Sequence, residues 1–390
     1  MNPRTTTILG WLTLVAVLVA IWLVLGEEQP PTEKPGKLWP DLAARINDAA
    51  ALAISHEGRT LHLERDGGIW RIREKEGYPA DDTKVRRFLT SLVRTEILAL
   101  KTRRKEDYAR LDLEGPQAAH VVVADAGGKA IVDAYIGKRE FKFRARRFET
   151  FLRKADDPQV YLVTGIEEPK AEPKPWYPDS ILAIDLSRIA AIRIRHADGE
   201  TLTISRGAPG EDFKLAEMGK DEVFKGYRPL DHIANAFSYV AIEDVRRDDG
   251  AAAGDPVGRV EIETFDGLLV AIDAFRTKDE TEDQWWRIRA RAAEGAGRQA
   301  DAAAAKEGGA GPDHDAAAEK DGGAGKDDGK KEAEEPDAAA EAARLEPLTD
   351  RWLIRIPKHV GDDIFRRKAA LVTKPESPSE KAAEEDGAGG

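Results

Sequence analysis

A chain of 390 residues exceeds what one ordinary core serves, and 41% hydrophobic content allows about two or three domains. The formal net charge of -12 argues against nucleic acid as a partner, because phosphate binding needs a basic face. The absence of cysteine excludes disulfides, thiolate catalysis and cysteine-held zinc or iron–sulfur clusters.

Residues 1–7 form a short segment that carries Arg4, and Ile8 to Leu25 is apolar but for Gly10 and Thr13. A run of about 18 residues at ~1.5 Å each makes a helix of ~27 Å, the thickness of a bilayer core. The run ends in "WLVLGEEQPP", with bulky residues where a cleavable secretory signal carries small ones, so an uncleaved anchor over 8–25 is expected rather than a cleaved signal. Arg4 precedes the span and Glu27 and Glu28 follow it, which keeps residues 1–7 cytoplasmic. The bulk of the chain is then extracytoplasmic, in a bacterium periplasmic, and held at the inner membrane by one pass. Residues 26–37, rich in proline and charge, read as an extended linker.

From residue 38 the hydrophobic period is two. Leu52 and Ile54, then Leu61 and Leu63, then Trp70 and Ile72 mark three strands separated by turns at "HEG" and "DGG". "GYPADDTKVRRFLTSLVRTEI" shifts to a helical period, with Val85, Phe88, Leu89 and Leu92 on one face and Asp82 or Thr83 as its cap. Strands return in "HVVVADAGGKAIVDAYIG", "EFKFRAR" and "VYLVTG". The same succession recurs downstream. Ile192 and Ile194, Leu202 and Ile204, and Phe213 and Leu215 alternate; "GYRPLDHIANAFSYVAIEDV" gives a helix capped by Asp231 with Ile233, Ala236, Phe237 and Val240 aligned; "RVEIETFDGLLVAIDAF", "QWWRIRARA" and "RWLIRIP" complete it.

The expected fold class is α+β: two tandem duplicated modules of mostly antiparallel strands with one main helix each, after the transmembrane helix. Module 1 covers 38–168, a connector 169–180, and module 2 covers 181–372. An Ala, Glu, Asp, Gly and Lys-rich insertion at 294–341 and a tail at 373–390 have too little to bury and read as disordered.

"LWPDLAARINDAAALAI", "TLHLERDGGIWRI", "GYPADDTKVRRFLTSL", "KTRRKEDYARLDLEGP" and "AYIGK" together resemble a bacterial family known only as a domain of unknown function, number 4340. The resemblance covers most of Leu38 to about Lys170, with a weaker echo downstream, and "GYPAD" and "YARLDL" are its most specific parts. Many relatives have glycine where Asp112 stands. The resemblance implies one N-terminal span and association with ABC-type export systems linked to gliding motility; it brings no catalytic residues.

The chemistry-bearing residues give no catalytic pattern. His56, His62, His120, His196, His232, His314 and His359 form no His-x-His or HExxH spacing, although His56 and His196 occupy equivalent turns. The glycine-rich pieces "GGAGKDDGKK" and "GGAGPDHD" lack the spacing of a phosphate loop. Asp81 and Asp82 read as helix caps, and Asp248–Asp249 and Asp362–Asp363 as solvated or capping pairs. No catalytic, cofactor or metal residue is assigned, and no cofactor is expected.

Two places are candidates for partner contact. The basic run Lys101, Arg103, Arg104 and Lys105 suits an acidic partner or anionic lipid, although a solvated loop is the blander reading. Trp285 and Trp286 are adjacent in a strand and face opposite sides, so one enters the core and the other is expected outside. The leading functional expectation is a membrane-anchored accessory or scaffold protein of a membrane transport complex. Its partners are the bilayer, through the N-terminal helix, and the membrane subunits of that complex. The alternative is a module binding an envelope glycan or lipid, and third an enzyme of unknown type.

Overall fold

The computed structural model describes residues 36–250, 254–277, 283–293 and 337–374. The expected membrane anchor, the linker up to residue 35, most of the acidic insertion and all but the first two residues of the tail lie outside them. Among the described residues no helix is long and apolar enough to cross a membrane. The described chain consists mostly of antiparallel sheets with a few helices, and it divides into two compact units. Unit 1 spans Met1–Glu74 and Ala80–Pro175, and unit 2 comprises Lys75–Pro79 and Trp176–Gly390.

In unit 1, β1 (Ala49–His56), β2 (Arg59–Asp66) and β3 (Ile69–Ile72) form a meander whose alternate residues Leu52, Ile54, Leu61, Leu63, Trp70 and Ile72 are buried. A two-residue strand, β4 (Tyr78–Pro79), lies in the segment grouped with unit 2. Helix α1 (Asp82–Arg94) follows, then β5 (Glu96–Leu100), β6 (Ala119–Asp125), β7 (Ala130–Lys142), β8 (Arg147–Lys154) and β9 (Val160–Thr164). The strands run in the order β3-β2-β1-β6-β7-β8-β9-β5. The chain thus makes three strands, crosses by way of α1 to the far edge, and fills the middle with a four-strand meander.

The four apolar residues read onto one face of α1 are all buried, as the period of 3.6 requires. Its cap is Asp81, one of the two acids read as caps, rather than Asp82 or Thr83: the carboxylate accepts from the backbone N–H of Thr83 at 2.8 Å and of Lys84 at 3.2 Å. Asp82 lies inside the first turn and pairs with Arg86.

Unit 2 contains β10 (Ile189–His196), β11 (Thr201–Ser205), β12 (Lys214–Leu215), β13 (Val223–Phe224), helix α2 (Pro229–Asn235), β14 (Asp244–Arg247), β15 (Asp255–Thr264), β16 (Leu268–Arg276) and β17 (Gln284–Ala292). Helix α3 (Ala338–Thr349), β18 (Trp352–Ile356), helices α4 (Lys358–Ile364) and α5 (Lys368–Leu371), and β19 (Val372–Thr373) complete it. Its main sheet has the order β12-β11-β10-β15-β16-β17-β18-β14, and β13 pairs with β19 apart from it.

Unit 2 departs from the expectation of one main helix. Its α2 is short, and Asp231 is not the cap. Arg228, in the left-handed region at φ 45°, holds that position, and Asp231 pairs with it from within the first turn at 2.8 Å. The larger helix is α3, which begins inside the segment expected to be disordered. Asp337 caps it by accepting from the N–H groups of Ala339 and Ala340, and Ala338, Ala342, Leu345 and Leu348 are buried.

Candidate functional site

The site in unit 1 starts from a close approach. A Cβ on Gly137 would stand 2.2 Å from the carbonyl oxygen of Leu111, so only glycine lets β7 pass beneath the "YARLDL" loop. In that loop Tyr108 donates its hydroxyl to the carbonyl of Pro158 at 2.7 Å, and Tyr108, Leu113 and Val160 form a small core of their own. Asp112 has φ 57°, left-handed backbone that favours glycine. These residues serve packing.

The irregularity between Ile136 and Arg139 shifts the register so that Arg139 stands opposite Thr150 on β8. Between these strands, the end of β1 and the chain after β9 is a cavity of about 320 Å³, small among ligand pockets. His56, Gln117 and Ala119 form one wall, and Glu167, Glu168 and Pro169 another. The Arg139 guanidinium lies 4.0 Å over the Phe148 ring, and its Nη1 is 3.7 Å from Glu168. The Thr150 hydroxyl lines the cavity at 1% exposure and has no hydrogen-bond partner among the described residues. A buried hydroxyl left unpaired costs free energy that a bound polar group would recover.

Beside this cavity the β7–β8 hairpin carries three exposed aromatic rings. Phe143 is 84% exposed, Phe148 45% and Phe141 41%. Phe141 touches both others, with ring centroids 5.1 Å from Phe143 and 5.0 Å from Phe148. Single exposed apolar residues are ordinary, whereas these three rings form one contiguous cluster, of which Phe148 lines the cavity.

Unit 2 has a hollow of about 360 Å³ over β10, β15, β16 and β17. Its charged groups answer one another: Arg193 meets Glu261 at 3.1 Å, Arg259 meets both Glu261 and Asp273 at 3.2 Å, and Arg289 meets Asp273 at 3.3 Å. Burial raises the Glu261 carboxyl, but the hydrogen bonds from Arg193 and Arg259 outweigh it and hold the group below its ordinary value. This ladder is a satisfied cross-strand network.

The residues singled out from the sequence fall elsewhere. Lys101, Arg103, Arg104 and Lys105 are exposed, just past the end of β5. Arg103 lies 3.6 Å from Asp157 and Arg104 3.3 Å from Asp107, so acids of the same unit face both. Trp285 and Trp286 do point to opposite sides, but neither is outside. Trp286 is fully buried, and Trp285 is 7% exposed beneath the Arg246 guanidinium, 4.5 Å from its ring. The expected outward indole is absent because β14 brings Arg246 over it. Asp248 is not simply solvated: its two oxygens grip Arg287, which together with the Gly250 N–H keeps its carboxyl below the ordinary value despite burial.

Phe148 and Thr150 lie on β8, whose signal in the sequence is the apolar–polar alternation of "RFETFLRK", whereas Arg139 lies on β7 and no local pattern marks it. In unit 2 the segment Lys75–Pro79 contributes Tyr78, fully buried edge-on to Tyr177 and Trp352 at 5.6 and 5.0 Å. Burial pushes the Tyr78 hydroxyl far above its ordinary value. The "GYPAD" stretch is therefore occupied by packing and by the Asp81 cap.

A family model described as a domain of unknown function (DUF4340) matches residues 70–257, from Trp70 in unit 1 to the start of β15 in unit 2. The match begins later and reaches further into the second unit than the resembling motifs alone suggest. A comparison with curated proteins finds no match. With the buried Trp70, the "GYPAD" and "YARLDL" stretches and the Gly137 approach all inside the matched span, the region 70–257 of the chain is a match to the DUF4340 family.

Proposed function

We propose that the protein is a non-catalytic accessory or scaffold subunit of a membrane transport complex, held at the membrane by the apolar segment 8–25 with its two units extracytoplasmic. The observation that carries this reading is the exposed Phe141–Phe143–Phe148 cluster beside the open cavity of unit 1. Exposed clustered aromatics of this kind suit the centre of a protein interface. The ABC-type association implied by the family resemblance names the class of partner. The shared strand order of the two sheets supports descent of both units from one duplicated module.

Purification of the full chain from native membranes in mild detergent tests the reading. Recovery of transport subunits in fixed ratio is expected, with loss when Phe141 and Phe143 are both changed to serine. Recovery of the chain alone would sink it.

A second reading, a module for an envelope glycan or lipid, is favoured only by the hollow of unit 2 with its arginine-bearing walls. Salt-sensitive binding of the purified chain to anionic lipid vesicles, reduced by Arg193→Ala and Arg289→Ala together, is its measurement.

A further inference from the structure

Corresponding strand positions form a corner in each unit, by a register shift between β7 and β8 in unit 1 and by regular β16–β17 pairing in unit 2, and only one of the two is covered. In unit 1, Ala119, Ile136 and Leu152 follow one another across β6, β7 and β8, and Arg139 faces Thr150. In unit 2, Gly258, Ala274 and Trp286 take those places across β15, β16 and β17, and Arg276 faces Gln284. A histidine ends the adjoining strand in both, His56 on β1 and His196 on β10. An acid after the last meander strand holds each arginine: Glu168 stands 3.7 Å from Arg139, and Asp362 stands 2.8 Å from Arg276.

The chain itself closes the corner of unit 2. Helix α4 lays Gly361 on the Gln284 side chain so closely that a Cβ would stand 2.3 Å from its Cδ. One turn on, Phe365 meets His196 edge-on at 6.0 Å and lies against the Gly258 position. The seat thus takes a glycine and, four residues later, an aromatic ring. In unit 1 no described segment fills the corresponding space. The cavity remains, with the unpaired Thr150 hydroxyl in its wall and Phe148 at its mouth.

We infer that the unit 1 cavity is the seat for a helical turn of a partner polypeptide bearing a small residue and an aromatic residue four positions on. The inference rests on the accessory-subunit reading and names the chemistry of the contact. A free anion fits poorly. Arg139 is already faced by Glu168 and stacked on Phe148, and Glu167 stands in the same wall. Ile136, Phe148 and Pro169 ask for apolar surface, and the Thr150 hydroxyl for a backbone carbonyl.

The test uses the full chain in its native membrane, with Phe148 replaced by photoreactive benzoylphenylalanine and Tyr239 of unit 2 replaced likewise as a control. Irradiation is expected to give an adduct from the Phe148 position with a second polypeptide, and mass spectrometry to place it on a small-x-x-x-aromatic segment. Gln117→Trp, at an exposed position on the cavity wall, should lower that yield about tenfold or more, as blocking a hot spot does. No adduct, an adduct only within the chain's own residues, or a yield indifferent to Gln117→Trp would overturn the seat. Co-purified transport subunits alongside any of those results would leave the accessory reading standing, whereas a chain that purifies alone removes that reading.

Discussion

Arg188 donates through Nη2 to both Asp266 and Glu341, each at 2.7 Å, and so ties the first turn of α3 to the β15–β16 turn. All three side chains are largely buried. Burial opposes the charges of Arg188 and Asp266, yet the hydrogen bonds prevail: Arg188 is held above its ordinary value and Asp266 below. Arg188→Ala leaves two carboxylates facing a shielded site without their cation. It is expected to destabilise unit 2 by about 1–3 kcal/mol and to raise amide exchange in Ala338–Thr349. Denaturant unfolding and hydrogen exchange measure both. Exchange that stays unchanged in that helix would show the tie to be idle.

His196 gives a pH dependence of definite sign. Burial holds its ring below the ordinary value, the Arg367 charge adds to this, and Glu200 and Asp198 oppose it. Unfolding restores the ordinary value of about 6.5, so below that pH the unfolded chain binds the extra proton. Stability is therefore complete above pH ~6.5 and falls as the solution is acidified, by up to ~1.4 kcal/mol per pH unit for one proton. His196→Asn should flatten the slope between pH 6.5 and about 5, above the ordinary carboxylate range. Phe365→Ala removes the ring that covers His196 and should return its NMR titration toward the ordinary value.

The Asp81 cap is a local matter with a local cost. Asp81→Ala removes the acceptor for two N–H groups and is expected to lower unit 1 stability by about 1 kcal/mol, read as a shift in the unfolding midpoint. Asp82→Ala should cost less, since the exposed Asp82–Arg86 pair is screened by water. Equal effects would mean that the first turn is held by charge rather than by the cap.

Much of the fold is legible in the sequence because burial on one sheet face imposes period two. Leu52, Ile54, Leu61, Leu63, Ile192, Ile194, Leu202 and Ile204 were readable for that reason, and each is buried. Trp70 and Phe213 likewise enter the core. Helix α3 was hidden in a composition typical of disorder, since its stability depends on packing against β17 that no local window contains. The covering of Trp285 escapes local reading for a related reason: alternation tells which side a ring faces, not whether Arg246 from a distant strand covers it. The cavity was illegible because Arg139 and Thr150 meet only through a register shift in β7, and Phe148 gains meaning only beside them.

Gly137 joins packing and site most directly. Its Cα passes beneath the Leu111 carbonyl, and Asp112 oxygen would lie 2.9 Å from an added Cβ, so both obstacles are backbone and neither can swing aside. Gly137→Ala must push the Tyr108–Leu113 loop away or straighten the irregularity that aligns Arg139 with Thr150. Overpacking of this kind costs about 1–3 kcal/mol. If the loop yields, Tyr108 loses its bond to Pro158 and its hydroxyl meets water, which amide exchange around Tyr108 would report. If β7 yields, Arg139 leaves Phe148 and partner recovery falls while Tyr108 stays protected. Gly361→Ala gives the unit 2 counterpart, where the obstacle is the Gln284 side chain rather than backbone. A flexible obstacle yields more cheaply, so Gly137→Ala should show the larger loss of the two. The reverse order, read from paired denaturant curves, would mean that the Leu111 loop is softer than its contacts imply.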